Sequence, residues 1–413
     1  MRRFALFVAA LAGAAFPAQA GAAADPALVA KLGRYMRAAG TQSGAYVVNL
    51  TDQQTVFRWR QATPRILASN AKLYTTATAL ARFGTEGTLG TEVLGTGAVD
   101  VPWGVWRGDL YLKGGGDPTF GSRSFTRRAY GAGATVEDLA LGLEEAGVQR
   151  VTGRIVGDES AFDPLRGGPD SGYATSVWVG PLSGLSFNRG LGDESGRSFQ
   201  VNPPAFAAAR LERALEARGI RVRGAPRAGV TPRGAEILAS VDSPSMTDLV
   251  RMTNKPSDNF FAEMLLKGLA RQANGRGTTA AGARLVSEFA RGLGAPARLV
   301  DGSGLSRGNR ASPRRVVRFL AAMQGRDEFD EWYASLPVAG RDGTLRTRMR
   351  SGPARGRCHA KTGTLSDVSA LSGYCEASSG DLYAFSILMN AVYPTGARQL
   401  QDRIAHALAA ARD

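Results

Sequence analysis

Three residue types that often carry chemistry are scarce in this chain. Its 413 residues include two cysteines, two histidines and six lysines, although lysine and arginine together number 51. Neither a His-Glu-x-x-His motif nor a paired Cys-x-x-Cys motif occurs. No Gly-x-Ser-x-Gly turn between a strand and a helix is evident either. These absences exclude the common zinc-hydrolase and α/β-hydrolase patterns, and no metal or other cofactor is expected.

Long apolar runs are also absent after the N-terminus, so no membrane-spanning helix is predicted there. The N-terminal run from Phe4 to Phe16 follows Arg2 and Arg3 and precedes the small-x-small cleavage pattern Ala18-Gln19-Ala20. This order is typical of a cleaved secretory signal peptide over residues 1–24, with an uncleaved anchor or a buried helix as the alternative. We therefore expect an exported protein of the periplasm or cell-wall space.

Acidic residues are outnumbered by basic ones, 36 against 51, which gives a formal net charge of +15. Such a balance favours anionic partners, which for an exported protein means peripheral contact with wall polymers or membrane head groups. Nucleic acid is not expected as a partner, because no basic motif of nucleic-acid-binding geometry occurs. The alternative is an arginine-rich codon bias spread over a solvated surface.

Hydrophobic periodicity gives the two ends of the chain one common pattern. Near the N-terminus, predicted helices over residues 26–39 and Ser69–Phe83 flank a hairpin of Ser43–Leu50 and Thr55–Trp59. Toward the C-terminus the pattern predicts helices near 246–252, 259–269, 278–293 and 312–324, strands at 361–364, 368–374 and 382–389, and a closing helix over 396–409. The predicted fold class is α/β of the α+β kind, with one antiparallel sheet built from both chain ends and flanked by helices.

The middle of the chain, residues 90–241, differs from both ends in composition and in hydrophobic pattern. It is rich in glycine and contains short strand-like pieces, so we expect a mostly β inserted domain between the two parts of the main domain, 25–89 and 242–413. A length of 413 residues also favours more than one domain. The glycine cluster at 114–118 is interpreted as a tight turn, because no Gly-Lys-Ser/Thr follows it as a phosphate-binding loop requires.

Two of the six lysines stand where a proton acceptor is useful. Ser69 and Lys72 are three positions apart at the start of a predicted helix, so their side chains share a face. A serine hydroxyl becomes a nucleophile when a base takes its proton. A lysine amine can be that base if burial, or a nearby cation such as Lys361, lowers its pKa, whereas arginine cannot. The alternative for Ser69 is a plain helix N-cap.

A second motif, Ser-x-Asn, is formed by Ser257 and Asn259 in a predicted loop between two helical segments. A loop at this point can present both side chains to a cleft, and the alternative is again a helix N-cap. Ser186 and Asn188 fit the same pattern but lie in the inserted region, in a strand-like context. We therefore prefer Ser257 and Asn259.

A third motif, Lys361-Thr362-Gly363-Thr364, begins a predicted strand. Its small residues let a substrate backbone approach the strand edge, and the alternative is an ordinary half-buried strand. The N–H groups of Thr364 and Ser69 are expected to form an oxyanion hole. His359 precedes Lys361 by two residues, so we expect it to pack nearby or to line the rim of the site.

The two cysteines of an exported chain are expected to form one disulfide. If Ser366 and Asp367 are the turn of a hairpin, Cys358 stands eight residues before that turn and Cys375 eight after it. The two side chains then face each other across paired strands, within reach of a bridge. The alternative is a pair of buried free thiols.

The order Ser-x-x-Lys, Ser-x-Asn and Lys-Thr-Gly is the signature of penicillin-recognising serine enzymes. The chain resembles the D-alanyl-D-alanine carboxypeptidase/endopeptidase family, the class C low-molecular-mass penicillin-binding proteins. Further segments similar to that family are 110–118 (LYLKGGGDP), 157–162 (GDESAF), 185–188 (LSFN), 301–307 (DGSGLSR) and 336–345 (LPVAGRDGTL). The resemblance implies a transpeptidase/β-lactamase-like domain split by the insertion. Only 188 residues separate Ser69 from Ser257, which implies that an outer inserted sub-domain is trimmed or absent.

The resemblance also implies the chemistry. Peptidoglycan stem peptides would be cleaved at the D-Ala-D-Ala bond through an acyl-enzyme, and β-lactam antibiotics would be covalent inhibitors. The implied roles are nucleophile for Ser69, base for Lys72, proton relay and amide binding for Ser257 and Asn259, and binding of the terminal carboxylate for Lys361 and Thr362.

Asp158, Ser303 and Arg307 are implied to line the pocket for the diamino-acid side chain of the stem peptide. Two other interpretations remain open at this point. One is a β-lactamase, which shares the acylation step but deacylates quickly. The other is a non-catalytic wall-binding protein that kept the fold, against which the intact set of motifs argues.

Overall fold

The computed structural model describes residues 25–100, 103–193 and 196–412. The predicted signal peptide, residues 1–24, lies outside the described residues. Within them, no helix is both long enough and apolar enough to cross a bilayer.

Both ends of the described chain build one five-stranded antiparallel sheet, as the sequence predicts. In spatial order its strands are β12 (Cys358–Leu365), β13 (Val368–Glu376), β14 (Leu382–Asn390), β1 (Ser43–Asn49) and β2 (Gln54–Trp59). The pairing of β1 with β14 joins the two ends of the chain, and β12 forms an edge of the sheet. A separate two-stranded ribbon consists of β3 (Arg65–Ile66) and β11 (Arg310–Ala311).

Side chains alternate along these strands between two cores, one on each face of the sheet. Ala384 and Leu388 enter the larger core, whereas Phe385 and Ile387 enter the smaller one. The helices of the larger core are α2 (Ala71–Phe83), α6 (Met246–Asn254), α7 (Asn259–Asn274), α8 (Thr279–Gly292), α9 (Pro313–Gln324) and α10 (Phe329–Ser335). The smaller core is covered by α1 (Pro26–Ala38) and α11 (Pro394–Ala409).

A second sheet occupies the middle of the chain, and seven strands of it are described. These are β4 (Gly90–Gly95), β5 (Val99–Asp100), β6 (Val105–Trp106), β7 (Leu110–Gly114), β8 (Arg150–Asp158), β9 (Arg221–Ala228) and β10 (Glu236–Asp242). The central strand β8 pairs in parallel with β6, β7 and β9. We propose that this sheet is the framework of the inserted domain.

The same stretch also contains helices that the sequence analysis did not predict. They are α3 (Arg123–Tyr130), α4 (Val136–Glu145) and α5 (Pro203–Glu216). Leu139 and Leu143 of α4, and Leu211 and Leu215 of α5, stand four positions apart and are buried against the second sheet. The expectation of a mostly β insertion therefore missed a helical layer, because short helices between glycine-rich turns give a weak periodic signal.

The hairpin of β12 and β13 turns at Ser366 and Asp367, as predicted, and its register pairs Cys358 with Cys375. These two cysteines form a disulfide, with Cα atoms 4.1 Å apart. The predicted bridge is thus confirmed. It ties the start of β12 to the end of β13 and so fixes the register of the edge strand.

The register also decides where the backbone of β12 points. A short Cα separation marks an antiparallel pair that is not hydrogen-bonded, so Cys358 directs its N–H and C=O away from β13. The same orientation recurs at every second residue, and Ala360 accordingly donates its N–H to the carbonyl of Pro337 at 2.9 Å. Thr362 and Thr364 follow this alternation. Their N–H groups therefore point toward the open edge of the sheet.

The disulfide gives the first testable prediction. Replacing both cysteines by alanine should lower the free energy of unfolding by up to about 3 kcal/mol, because the closed loop is short. Denaturant unfolding of the Cys358→Ala/Cys375→Ala variant measures this difference. Thiol labelling of the wild-type protein, unfolded without reductant, should detect no free cysteine. Two labelled thiols would contradict the bridge.

Candidate active site

Ser69 lies in a short 3-10 turn, Ala68–Asn70, that leads directly into α2. The sequence predicts Ser69 as the first residue of a helix, or alternatively as its N-cap. In the structure the N-cap of α2 is Asn70, so Ser69 occupies neither position. Ala68 has a φ of 46°, a left-handed conformation that alanine rarely adopts. Such a conformation persists only where the surrounding structure enforces it.

Two glycines allow the surrounding backbone to hold this turn. A Cβ atom on Gly304 would lie 1.9 Å from the carbonyl oxygen of Ala68. A Cβ atom on Gly363 would lie 2.9 Å from the carbonyl oxygen of Leu67 and 3.1 Å from the nitrogen of Ser69. Glycine is therefore needed at both positions for close backbone approach. The glycine of the Lys-Thr-Gly motif is what brings β12 against the Ser69 turn.

Lys72 is fully buried and lies on the face of α2 beside Ser69. Its Nζ is 3.1 Å from Ser69 Oγ, 2.7 Å from Asn259 Oδ1 and 2.6 Å from the carbonyl oxygen of Ser303. Because the two carbonyl-type oxygens accept N–H bonds, a neutral amine keeps its lone pair for the Ser69 hydroxyl. Burial lowers the pKa of Lys72 to about 8. The geometry and the lowered pKa both suit a base.

Three carboxylates oppose this fall in the pKa of Lys72, namely those of Asp258, Asp301 and Glu263. None of the three is among the candidate site residues predicted from the sequence. Glu263 stands four positions after Asn259 on α7, and that spacing is the signal that could have revealed it. Its Oε1 accepts the N–H groups of Gly302 and Ser303 at 3.0 and 2.8 Å. Glu263 thereby holds the loop whose Ser303 carbonyl meets Lys72.

Ser257 and Lys361 form the second close pair. Ser257 has a φ of 63°, and its Oγ accepts a hydrogen bond from Lys361 Nζ at 2.7 Å. Burial, together with repulsion from Lys72, lowers the pKa of Lys361 well below its ordinary value. From the sequence, burial and the charge of Lys361 are both expected to lower the pKa of Lys72. Burial is the main cause in the structure, at Lys72 as at Lys361.

An open cleft of about 990 Å³ connects these groups. The predicted site residues that line it are Ser69, Ser257, Asn259, Arg307, Thr362, Gly363 and Thr364. Other lining residues, which the sequence analysis did not single out, include Trp178, Thr344, Arg348 and Arg398. The buried lysines reach the cleft through the hydroxyls of Ser69 and Ser257. The three motifs therefore meet in one place.

The three residues expected to line a side-chain pocket are placed differently from one another. Arg307 lines the cleft and forms an ion pair with Asp367. Ser303 is buried and contributes its backbone carbonyl to Lys72. Asp158 is buried at the end of β8, where its carboxylate accepts the N–H of Thr231 at 2.8 Å, and it is not among the lining residues described for the cleft.

The second Ser-x-Asn sequence lies elsewhere. Asn188 accepts the N–H of Ser122 at 2.9 Å and belongs to the layer around the second sheet, as does the buried Ser186. His359 stacks on Tyr333 with ring centroids 4.3 Å apart, so it packs beside β12. Neither group is among the described residues that line the cleft.

Comparisons with known proteins agree with the family that the sequence motifs indicate. The model of the D-Ala-D-Ala carboxypeptidase 3 (S13) family matches residues 28–193 and 190–411. The D-alanyl-D-alanine carboxypeptidase of Actinomadura sp. (strain R39) is 31% identical over 452 aligned positions, which cover 90% of this chain and 81% of that protein. Carboxypeptidase DacB of Mycolicibacterium smegmatis is 30% identical over 373 positions, covering 86% of this chain and 78% of that protein.

Among solved structures, penicillin binding protein 4 (dacB) from Haemophilus influenzae superimposes with a TM-score of 0.76 at 21% identity, covering 90% of this chain and 97% of that one. At this level of identity the likeness shows a shared fold. The antiparallel sheet flanked by helices that the sequence predicts is thereby confirmed.

The pKa of Lys72 can be tested without reference to any reaction. In a protein labelled with ¹³C-lysine, the Cε signal of Lys72 should titrate with a midpoint near 8, against about 10.4 for an unperturbed lysine. The ammonium form predominates below this midpoint and the neutral amine above it, so about one molecule in ten carries the neutral amine at pH 7. The Lys72→Met variant identifies the signal by its loss. A midpoint above pH 10 would mean that Lys72 stays charged and cannot act as a base.

Proposed function

The chain belongs to the D-Ala-D-Ala carboxypeptidase 3 (S13) family, and we propose that it hydrolyses the D-Ala-D-Ala bond of peptidoglycan stem peptides through an acyl-enzyme at Ser69. It is a serine-type carboxypeptidase of that family, with endopeptidase action on cross-links as the related activity. One observation carries the assignment of the site. The two lysine amines each lie within hydrogen-bond distance of a serine hydroxyl in one open cleft, at 3.1 Å for Ser69 and 2.7 Å for Ser257.

Acylation begins when neutral Lys72 takes the proton of the Ser69 hydroxyl. The oxygen attacks the carbonyl carbon of the penultimate D-Ala, and the negative charge develops on the carbonyl oxygen. The N–H groups of Ser69 and Thr364 stabilise that oxygen, since Thr364 directs its N–H toward the open edge of β12. One such donor contributes about 100- to 1,000-fold in rate.

The leaving amine needs a proton as the bond to the carbonyl carbon breaks. Ser257 is placed to supply it and to be reprotonated by Lys361, whose Nζ donates to the Ser257 oxygen. Asn259 positions Lys72 through its Oδ1 and also donates from Nδ2 to the carbonyl of Trp178 at 3.1 Å. We assign to Asn259 the further task of holding the substrate amide.

Deacylation repeats these steps with water. The proton that Lys72 took from Ser69 replaces the one that Lys361 gave to Ser257, which leaves Lys72 neutral again, and this neutral amine then activates a water molecule that attacks the ester. The acid product leaves, and Ser69 regains its proton. A β-lactam that acylates Ser69 keeps its leaving amine attached to the same molecule, so a long-lived adduct is expected.

The proposal includes export of the protein from the cytoplasm. The substrate class lies outside the cytoplasm, and the N-terminal sequence has the pattern of a signal peptide. Without Arg2 and Arg3 of the predicted signal peptide the net charge is +13 (15 − 2), which suits peripheral contact with anionic wall polymers or membrane head groups. Among the three residues considered for the diamino-acid pocket, we favour Arg307, because it alone of them lines the cleft.

The nucleophile is tested by mass spectrometry of the intact protein after incubation with penicillin. Wild-type protein should gain the mass of one penicillin, and the Ser69→Ala variant should gain none while keeping its thermal stability. The Ser186→Ala variant, which alters the other Ser-x-Asn sequence, should still form the adduct. An adduct on Ser69→Ala would overturn the assignment, and rapid turnover of penicillin by the wild type would favour a β-lactamase.

The base is tested by Lys72→Arg, which keeps a positive charge but supplies no neutral amine. Penicillin acylation should slow by at least about 100-fold, the lower end of what a positioned base contributes. Lys31→Arg makes the same exchange at an exposed position of α1 and should leave the rate unchanged. Near-wild-type acylation by Lys72→Arg would show that Lys72 has only a structural role.

A further inference from the structure

Asp258 stands between Ser257 and Asn259, and its carboxylate is held from two sides. It is the N-cap of α7, where its Oδ1 accepts the N–H of Phe261 at 3.0 Å. Arg189 binds both carboxylate oxygens, with Nη1 2.7 Å from Oδ2 and Nη2 3.2 Å from Oδ1. A bidentate ion pair of this kind fixes the orientation of both groups as well as balancing their charges. The middle residue of the Ser-x-Asn motif is therefore tied both to its own helix and to Arg189.

Arg189 comes from a distant part of the chain, between β8 and α5. Asn188 and Arg189 both have left-handed backbone conformations, with φ of 47° and 59°. Asn188 donates its N–H to the carbonyl of Phe120 at 2.9 Å, and its Oδ1 accepts the N–H of Ser122 at 2.9 Å. Left-handed residues other than glycine persist only where the surrounding structure enforces them. The turn is thus held by contacts of Asn188, and it directs the side chain of Arg189 to Asp258.

Aromatic rings confine the guanidinium group of Arg189. It lies over the rings of Phe260 and Phe261, 5.0 and 5.6 Å from their centroids, a favourable place for a cation. Tyr130, at the end of α3, packs on Phe261 with centroids 5.3 Å apart. Burial raises the pKa of Tyr130, so its hydroxyl stays neutral over the range in which Lys72 titrates. With 28% of its side chain exposed, Arg189 occupies a shaped site rather than a solvated surface.

The other cations beside this ion pair have partners of their own. The pair lines a cavity of about 590 Å³ together with Arg251 and Lys255. Arg251 is paired with Asp248 at 2.8 Å, and Lys255 with Asp342 at 2.7 Å. They are the other cations among the described residues that line this cavity. Neither is therefore available to replace the arginine of the pair.

The charge of Asp258 acts on the base of the active site. Burial lowers the pKa of Lys72 to about 8, and Asp258 is the first of the charges that raise it, before Asp301 and Glu263. From the side of β12, Lys361 and Lys72 repel each other. A carboxylate favours a nearby ammonium group, and it does so less when a guanidinium group balances its charge. The ion pair therefore weakens the attraction between Asp258 and protonated Lys72.

We propose that Arg189 is a positioning residue of the reaction and acts through Asp258. By pairing with it, Arg189 fixes the turn that carries Ser257, whose φ of 63° is left-handed. The same turn places Asn259, which accepts the amine of Lys72 at 2.7 Å. Arg189 also keeps the carboxylate from holding a proton on Lys72. This inference rests on the proposed function, in which neutral Lys72 is the base.

The test follows the ¹³C titration of Lys72 in variants that remove opposite members of the pair. In Arg189→Met the carboxylate is unpaired, so the midpoint should rise by about 0.5 to 1 pH unit, less than a charge in direct contact produces. In Asp258→Asn the attraction is lost, and the midpoint should fall below that of the wild type. The double variant lacks both charges and should titrate close to the wild type.

Penicillin acylation gives a second measurement on the same proteins. Because only the neutral amine is a base, the acylation rate of Arg189→Met at pH 7 should fall about 3- to 10-fold with the rise of the midpoint. This part of the loss should disappear at higher pH, where Lys72 is neutral in both proteins. Arg189→Lys keeps the charge and should restore most of the midpoint and of the rate.

Arg218→Met is the matched control, because Arg218 follows α5, is paired with Glu144 and is not among the described lining residues of the cleft. It removes the same charge and should change neither the midpoint nor the acylation rate. Thermal unfolding checks that each variant is folded. If Arg189→Met does not fold, Arg189→Gln, which keeps a hydrogen-bond donor for the carboxylate, should show the same rise of the midpoint.

An unchanged midpoint in the folded variant that lacks the Arg189 charge would overturn the inference, even if acylation slows equally at every pH, because Arg189 would then have a purely structural role. Midpoints that move in the same direction in Arg189→Met and Asp258→Asn would overturn it as well. The titration needs no substrate, so it decides on Arg189 even if the wild type forms no penicillin adduct, a result that refutes the proposed function. A normal adduct with an unmoved midpoint refutes the inference alone.

Discussion

Burial of two lysine amines in one cleft is the interaction on which the rest of the site depends. Removing an ammonium group from water costs several kcal/mol unless hydrogen bonds and opposite charges compensate it. Lys72 is compensated by two carbonyl-type oxygens and by nearby carboxylates, whereas Lys361 has a serine hydroxyl and a backbone carbonyl. The compensation at Lys72 is incomplete, and its pKa falls to about 8. A residue that would otherwise be a permanent cation thus becomes usable as a base near neutral pH.

The acidic side chains around Lys72 limit how far this fall goes. Glu263 is itself buried, and burial together with the charge of Asp301 raises the pKa of Glu263 to about 7. The same carboxylate accepts the N–H groups of Gly302 and Ser303, so Glu263 contributes to the electrostatics at Lys72 and also fixes the carbonyl that orients it. Base strength and base position are therefore coupled through one loop.

The edge strand β12 carries Lys361, Thr362 and Thr364 and directs their side chains to different faces of the sheet. Because side chains alternate along a strand, Lys361 enters the layer of α2 and α6, whereas Thr362 and Thr364 face the side of α11. A register shift of one residue would exchange these directions. The disulfide between Cys358 and Cys375 pins the register, and Gly363 lets the strand approach the Ser69 turn. The directions of Lys361, Thr362 and Thr364 thus share one structural origin.

Local sequence determined a large part of this protein. Periodicity located α1, α2 and the strands of the first sheet, the symmetry about Ser366 and Asp367 located the disulfide, and three short motifs located the side chains that meet in the cleft. These features depend on residues close in sequence or on a recurring order of motifs. Tertiary structure alone decided the helical layer beside the second sheet and the partners of Lys72. Glu263 and Asp301 act on Lys72 from far away in the chain, because burial and Coulomb interaction are properties of what packs around a side chain.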